Sequence, residues 1–245
     1  MLLVERGLYE FFFISRRTGT EVYPALGYLA AALVCAAQWV GLRHDGLLAL
    51  ATFAALVLVI LAAALARSAS LGGYLAGVSV TVLGVFYVAF NLSCLFPLRF
   101  SEIATGFAGG REIMFFIVAV IVTGDTFAYF TGRLFGRRFM FPTVSPKKTF
   151  EGAVGGMVGS MLAGWICMRW VWRTADWKSA LLLALCVGVA GQLGDLAESA
   201  FKRCANLKDS GNILPGHGGL LDRLDSMLFG APVMWLALVM RSMMR

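Results

Sequence analysis

The chain has 245 residues, of which 59% are hydrophobic and only 14% charged, with a formal net charge of +7 and a mean hydropathy of +0.79. A soluble domain has roughly 45–50% apolar and about 25% charged residues, so this balance excludes a soluble fold, and with it a disordered chain, a disulfide scaffold and a collagen. The expected class is all-α: a polytopic helical membrane bundle, because apolar runs recur at the about 20 residues that a helix needs to cross a hydrocarbon core of about 30 Å.

In chain order, the first segment does not read as a cleavable signal peptide, because Glu5, Arg6 and Glu10 interrupt it and no small-residue cleavage site follows. It predicts a short N-terminal interfacial helix ending at Arg16 and Arg17. About seven transmembrane helices follow, over Val22–Leu42, Gly46–Ala66, Leu71–Phe96, Arg111–Leu134, Gly152–Trp172, Trp177–Arg203 and Leu221–Met243. Pro24 fits a first helical turn and Pro97 fits just past a helix end. Glycines at helical spacing, Gly152, Gly155, Gly156 and Gly159, then Gly188, Gly191 and Gly194, predict close helix packing. Neither a linker-like stretch nor an internal repeat is visible, so residues 1–245 read as a single membrane-embedded domain.

Lys and Arg lie between the apolar runs, with no aromatic-interleaved basic face, which argues against nucleic acid. Placing Arg16 and Arg17 in the cytoplasm puts 13 of the 21 basic residues on that side, the orientation favoured by the positive-inside rule. The basic connections near 135–151 and 204–220 then face the cytoplasm, from a multi-pass position in a bacterial cytoplasmic membrane. The five cysteines, Cys35, Cys94, Cys167, Cys186 and Cys204, are widely spaced and read as packing residues.

Three groups of polar residues stand out against this background. Asp125 sits inside an apolar span, where a carboxylate costs about 2.5–3.5 kcal/mol, so it must face protein or a wet cavity. Asp195, Glu198, Ser199, Lys202 and Arg203 follow one another at i, i+3, i+4, i+7 and i+8, which lines them along one helix face. Beyond them a glycine-rich loop carries Lys208, Asp209 and His217 between Gly216, Gly218 and Gly219, and the next helix opens with Asp222, Arg223 and Asp225. A loop of this composition turns backbone N–H groups toward an anion. The third group, Ser145-Pro-Lys-Lys-Thr-Phe-Glu-Gly152, puts Lys148 and Thr149 at a helix start, where ammonium, hydroxyl and first-turn N–H groups suit phosphate. Each group also has a plainer reading: a hydrogen-bonding acid between helices, an ion-pair ladder with helix caps, or a basic loop that fixes topology.

The run from Ser199 to Asp225 resembles the signature S-x-x-K-R-x-x-x-x-K-D-x-x-x-x-x-P-G-H-G-G-x-x-D-R-x-D of the phosphatidate cytidylyltransferases, or CDP-diacylglycerol synthases. The blocks Gly124-Asp-Thr-x-Ala-Tyr-Phe and Ser-Pro-Lys-Lys-Thr-x-Glu-Gly are also similar to that family and come in the right order. Phe127 departs from it, standing where the family commonly has Gly, and against typical members the chain reads as about two N-terminal spans shorter. The resemblance implies a membrane enzyme that transfers the CMP moiety of CTP to phosphatidic acid, giving CDP-diacylglycerol and pyrophosphate for phospholipid biosynthesis. It implies Mg²⁺ on Asp195 and Asp222, and a second, monovalent cation such as K⁺.

The expected site, centred on residues 195–226, follows from these readings. Asp195 and Asp222 would carry the metal, with Asp125 and Asp225 as further ligands. Lys202 and Arg223 would complete the catalytic set, and Lys148, Thr149, Ser199, Arg203, Lys208, Asp209 and His217 would bind substrate. No covalent nucleophile is needed, because charge repulsion and positioning dominate nucleotidyl transfer. A homodimer is open. So are three rival readings: an ion transporter lined by Asp125, Asp195 and Glu198, an enzyme using CTP with a different lipid phosphate, and a shortened paralogue that only binds.

Overall fold

A computed structural model describes residues 1–43, 47–66, 71–101, 109–170, 177–211 and 218–243. Among the described residues the main helices are α1 (Leu2–Arg17), α2 (Pro24–Val40), α3 (Leu47–Leu65), α4 (Leu71–Phe100), α5 (Gly110–Phe135), α6 (Phe150–Trp170), α7 (Trp177–Cys204) and α8 (Leu221–Met243). Six of them, α3 to α8, are long and apolar enough to cross a membrane. The protein is therefore a polytopic helical membrane protein. Seven spans were expected, and the difference is α2, whose 17 residues make a rod of roughly 25 Å. Pro24 occupies its first turn as expected, where a missing N–H costs nothing. The predicted span ends at Gly46 and Trp172 lie outside the described residues.

Three local features differ from the sequence reading. First, α4 continues past Pro97 to Phe100 because the chain restarts at Leu95, and a proline is tolerated in the first turn of that new segment. Upstream, Val85–Phe90 is wound as a π-helix. Second, one face of α1 also belongs to the core: Val4, Leu8, Phe11, Phe12 and Ile14 are buried while Leu2, Leu3, Tyr9 and Phe13 stay exposed, and the Phe11 ring meets those of Tyr87 and Phe201. Its paired aromatics need small neighbours. A Cβ on Gly27 would lie 2.5 Å from the Phe12 ring, and one on Gly84 would lie 2.8 Å from that of Phe11. Third, the connection between α5 and α6 is a two-stranded antiparallel hairpin, β1 (Phe139–Phe141) with β2 (Ser145–Thr149), which an all-α reading does not contain.

The chain divides into two compact units. Unit 1 holds Met1–Pro97 and Phe201–Leu224; unit 2 holds Leu98–Ala200 and Asp225–Arg245. Within unit 2 the expected glycine packing is present. Added Cβ atoms would meet Thr131 from Gly155 at 2.0 Å, Phe127 from Gly159 at 2.6 Å, and Ser160 from Gly188 at 2.3 Å. Helix backbones therefore approach at distances that only hydrogen side chains permit. Gly159 is what makes room for Phe127, the departure noted beside Asp125.

Candidate active site: a charge-bearing cavity and an anchored carboxylate

In unit 2, α6 starts in a way that explains the position of its first polar residues. Thr149 caps the helix, its Oγ1 accepting the Gly152 N–H at 3.1 Å. Glu151 accepts the backbone N–H groups of Arg137 and Arg138 at 3.1 and 3.2 Å, and the Phe150 N–H donates to the Arg138 carbonyl at 3.0 Å. The hairpin is thereby pinned to the helix start, and β2 delivers Lys147 and Lys148 to a cavity of about 590 Å³.

Asp125, Tyr129 and Arg133 of α5, Met140 of β1, Lys147, Lys148 and Thr149 of β2, and Gln192 and Asp195 of α7 line that cavity. Lys148 Nζ lies 2.8 Å from Asp195 Oδ2, and Ser199 Oγ donates to Asp195 Oδ1 at 3.4 Å, one helical turn on. Arg133 donates to the Tyr129 hydroxyl at 3.1 Å, and Gln192 donates to the Ala153 carbonyl at 3.2 Å. Two carboxylates and three cations thus face one space. Since Thr149 accepts in its cap, its own proton is still available to donate.

Unit 1 holds the second set. Helix α7 ends in a Schellman turn, with the Leu207 N–H on the Lys202 carbonyl at 2.8 Å and Asn206 at φ 54°. Lys202 pairs with Asp222 Oδ1. Asp222 Oδ2 accepts three donors: the Ser210 N–H at 2.9 Å, the Ser210 hydroxyl at 2.8 Å and the Gly219 N–H at 2.8 Å. Gly218 has φ +79°, and a Cβ there would lie 2.7 Å from that same oxygen, so position 218 requires glycine on both counts.

Beside Asp222 lies Glu10, which the sequence reading did not select. It is 1% exposed. It accepts the Leu220 and Leu221 N–H groups at 3.1 and 2.8 Å, and shares with Asp222 the one proton of the Ser210 hydroxyl, 3.1 Å away. Arg6 stands 3.5 Å away. A buried charge is thus set against the first N–H groups of α8, where a helix best accommodates an anion. The available signal was its position: Glu10 falls on the buried stripe of α1, three residues after Gly7 and four before Ile14.

The expected site residues are drawn from both units. Asp125, Lys148, Thr149 and Asp195 share the unit 2 cavity, with Ser199 bonded to Asp195. Asp225 is also in unit 2, its carbonyl within 2.4 Å of where a Gly194 Cβ would stand and its Oδ1 accepting the Ser226 N–H at 2.6 Å. Lys202 and Asp222 meet in unit 1. Arg203, Lys208, Asp209 and Arg223 are exposed there, Arg203 donating to the Leu207 carbonyl at 2.9 Å. His217 lies outside the described residues. Tyr129, Arg133, Lys147 and Gln192 are additions from the cavity wall.

The model of the cytidylyltransferase family matches residues 1–241. The chain belongs to that family. Among curated relatives, a phosphatidate cytidylyltransferase of Bacillus subtilis (strain 168) is 44% identical over 133 residues, 54% of this chain and 49% of the relative. One from Staphylococcus saprophyticus is 40% identical over 159 residues, 64% of this chain and 58% of the relative. A protein of Escherichia coli (strain K12) named uncharacterized protein YnbB is 40% identical over 161 residues, 66% of this chain and 53% of the relative. The chain thus spans about half the length of the curated relatives it matches.

For a cytidylyltransferase the donor set of the cavity suits Mg²⁺. Among the described residues no three His, Cys, Asp or Glu side chains form a ready metal cage. Mg²⁺ does not require one, since it typically keeps several waters and takes one or two carboxylates plus substrate phosphates. Asp125 of α5 and Asp195 of α7, in the lining of one cavity, offer that combination. Asp222 is different: three donors fill Oδ2 and an ammonium holds Oδ1.

Proposed function

We propose that this enzyme transfers the CMP moiety of CTP to phosphatidic acid, releasing pyrophosphate and forming CDP-diacylglycerol, at the cytoplasmic side of the cell membrane. A phosphate oxygen of the lipid attacks the α-phosphorus of CTP in line, and the bond from that phosphorus to the β-phosphate bridge breaks. The lipid phosphate is already an anionic nucleophile at neutral pH, so no general base is assigned. The task of the protein is to hold three or four negative phosphates in register against their mutual repulsion.

The observation that carries this reading is the Lys148–Asp195 pair on the cavity wall. Its side chains are 28% and 36% exposed, and an ion pair that accessible is worth at most about 1 kcal/mol. An arriving phosphate can therefore take Lys148 from Asp195 at little cost, and the carboxylate so released turns to a cation. Lys147, Lys148 and Arg133 hold phosphate charge, and the Thr149 hydroxyl donates to a phosphate oxygen. Asp195, with Asp125, would hold Mg²⁺, whose chemistry is to neutralise charge on the triphosphate. The signature residues Lys202, Arg203, Lys208, Asp209, His217, Arg223 and Asp225 are assigned to substrate and metal on their sequence pattern. Ser199 orients Asp195.

The test is incorporation of radiolabelled CTP into extractable lipid by detergent-solubilised protein given phosphatidic acid. The expected result is Mg²⁺-dependent labelling, with the K⁺ assignment checked by exchanging K⁺ for choline. Absence of labelled lipid, or labelling only with a different lipid phosphate, overturns the reading.

A further inference from the structure

The β1–β2 hairpin leaves the ends of two membrane-crossing helices with an unusual surface. Phe135 at the end of α5, Phe139 and Phe141 on β1, and Phe150 at the start of α6 are all exposed, Phe139 at 60%. Arg137 and Arg138 stand exposed between them. Along β1 the side chains alternate across the strand: Met140 lines the cavity, whereas Phe139 and Phe141 do not. The hairpin is not loose. Glu151 holds the Arg137 and Arg138 N–H groups, and the Phe150 N–H closes on the Arg138 carbonyl.

We propose that this hairpin is a ledge seated in the interfacial layer of an anionic bilayer leaflet, with Phe139 and Phe141 among the upper acyl chains and Arg137 and Arg138 on headgroup phosphates. Water is a poor neighbour for such a face, at about 25 cal/mol for every Å² of exposed apolar surface. A bilayer interface suits it, because aromatic rings and basic side chains gather where membrane helices end, and an anionic leaflet attracts each cation near its surface. The opposite side of the same strand faces the cavity that holds Lys148 and Asp195. Seating the ledge therefore holds the rim of that cavity at headgroup depth, where a lipid phosphate reaches it without leaving the membrane. The seating is independent of the proposed reaction; the consequence for lipid access rests on it.

Two measurements separate these statements. Phe139→Trp and Phe141→Trp proteins are reconstituted in vesicles of phosphatidylcholine and phosphatidylglycerol in equal parts, and the added emission over the parent is read. The proposal expects quenching by lipids brominated high on the acyl chain and shielding from aqueous acrylamide. Quenching by acrylamide alone, which means a water-facing hairpin, or by neither agent, which means a face covered by protein, overturns it. In the second, Phe139→Ser/Phe141→Ser protein is assayed with long-chain phosphatidic acid in vesicles and with a water-soluble dihexanoyl form. The expected outcome is an apparent KM about tenfold higher for the vesicle lipid, equivalent to ~1.4 kcal/mol, and an unchanged rate on the soluble one. Equal losses on both overturn the access argument. A parent protein inactive on both lipids overturns the proposed reaction, while the quenching still decides the seating.

Discussion

The molecule uses a lysine–aspartate pair twice, in opposite ways. Lys148–Asp195 in unit 2 lines an open cavity with side chains 28% and 36% exposed. Lys202–Asp222 in unit 1 is 11% and 15% exposed, and its carboxylate is further held by Ser210 and Gly219, beside a second buried acid, Glu10. Solvent weakens the first pair to the point where ligands compete with it. The second resembles a buried ion pair, in which removing one partner strands a charge and costs far more than the pair itself contributes. Residue type alone does not distinguish exchange from anchorage; the number of donors and the access of water do.

The comparison can be broken first at the cavity. Asp195→Asn should lower turnover of CTP by about 10²–10³-fold, the scale of losing one preorganised charge at a phosphoryl centre. Its thermal midpoint should stay close to that of the parent, because the pair it removes is exposed. A near-parental turnover would take Asp195 out of the site. In unit 1 the effect should move to stability. Glu10→Ala leaves the Leu220 and Leu221 N–H groups without their acceptor, a loss on the order of 3 kcal/mol. Hydrogen exchange at Leu220 and Leu221 should accelerate, with Glu10→Gln intermediate because its amide oxygen still accepts. Unchanged exchange in both variants would remove Glu10 from the anchor.

Smaller changes sharpen the same contrast. Gly159→Ala puts a methyl 2.6 Å from Phe127, which should cost ~1–3 kcal/mol by overpacking; a chemical melt with an unshifted midpoint would show that α5 and α6 are less tightly packed. Ser199→Ala removes a long, 3.4 Å hydrogen bond to Asp195. It should change the KM for CTP by only about twofold, an effect of ~0.5 kcal/mol.

The readability of these features in the sequence follows their range. Spans α3 to α8 were legible because hydropathy integrates over a whole helix and tolerates error at its ends. Lys148, Thr149 and Asp195 were legible because a charged motif beside an apolar run is conspicuous, although their convergence on one cavity was not. Glu10 was not legible: its partners Leu220 and Leu221 lie 210 and 211 residues away, and no local periodicity encodes such a pairing. The hairpin was missed for a different reason. Ser145-Pro-Lys-Lys-Thr149 has neither alternation nor β-branched enrichment, and its shape comes from the Glu151 and Phe150 hydrogen bonds that tie it to α6. Extension of α4 past Pro97 depended on a restart at Leu95 that a proline rule reads as a stop.

The central claim is that the cavity between Lys148 and Asp195 receives the phosphates of CTP with Mg²⁺. Equilibrium binding of labelled CTP to purified protein with Mg²⁺ tests it most directly, comparing the parent with Lys148→Met and Asp195→Asn proteins that retain the parental thermal midpoint. The account predicts at least about a tenfold weaker affinity in each variant, ~1.4 kcal/mol. Parental affinity in both would contradict it.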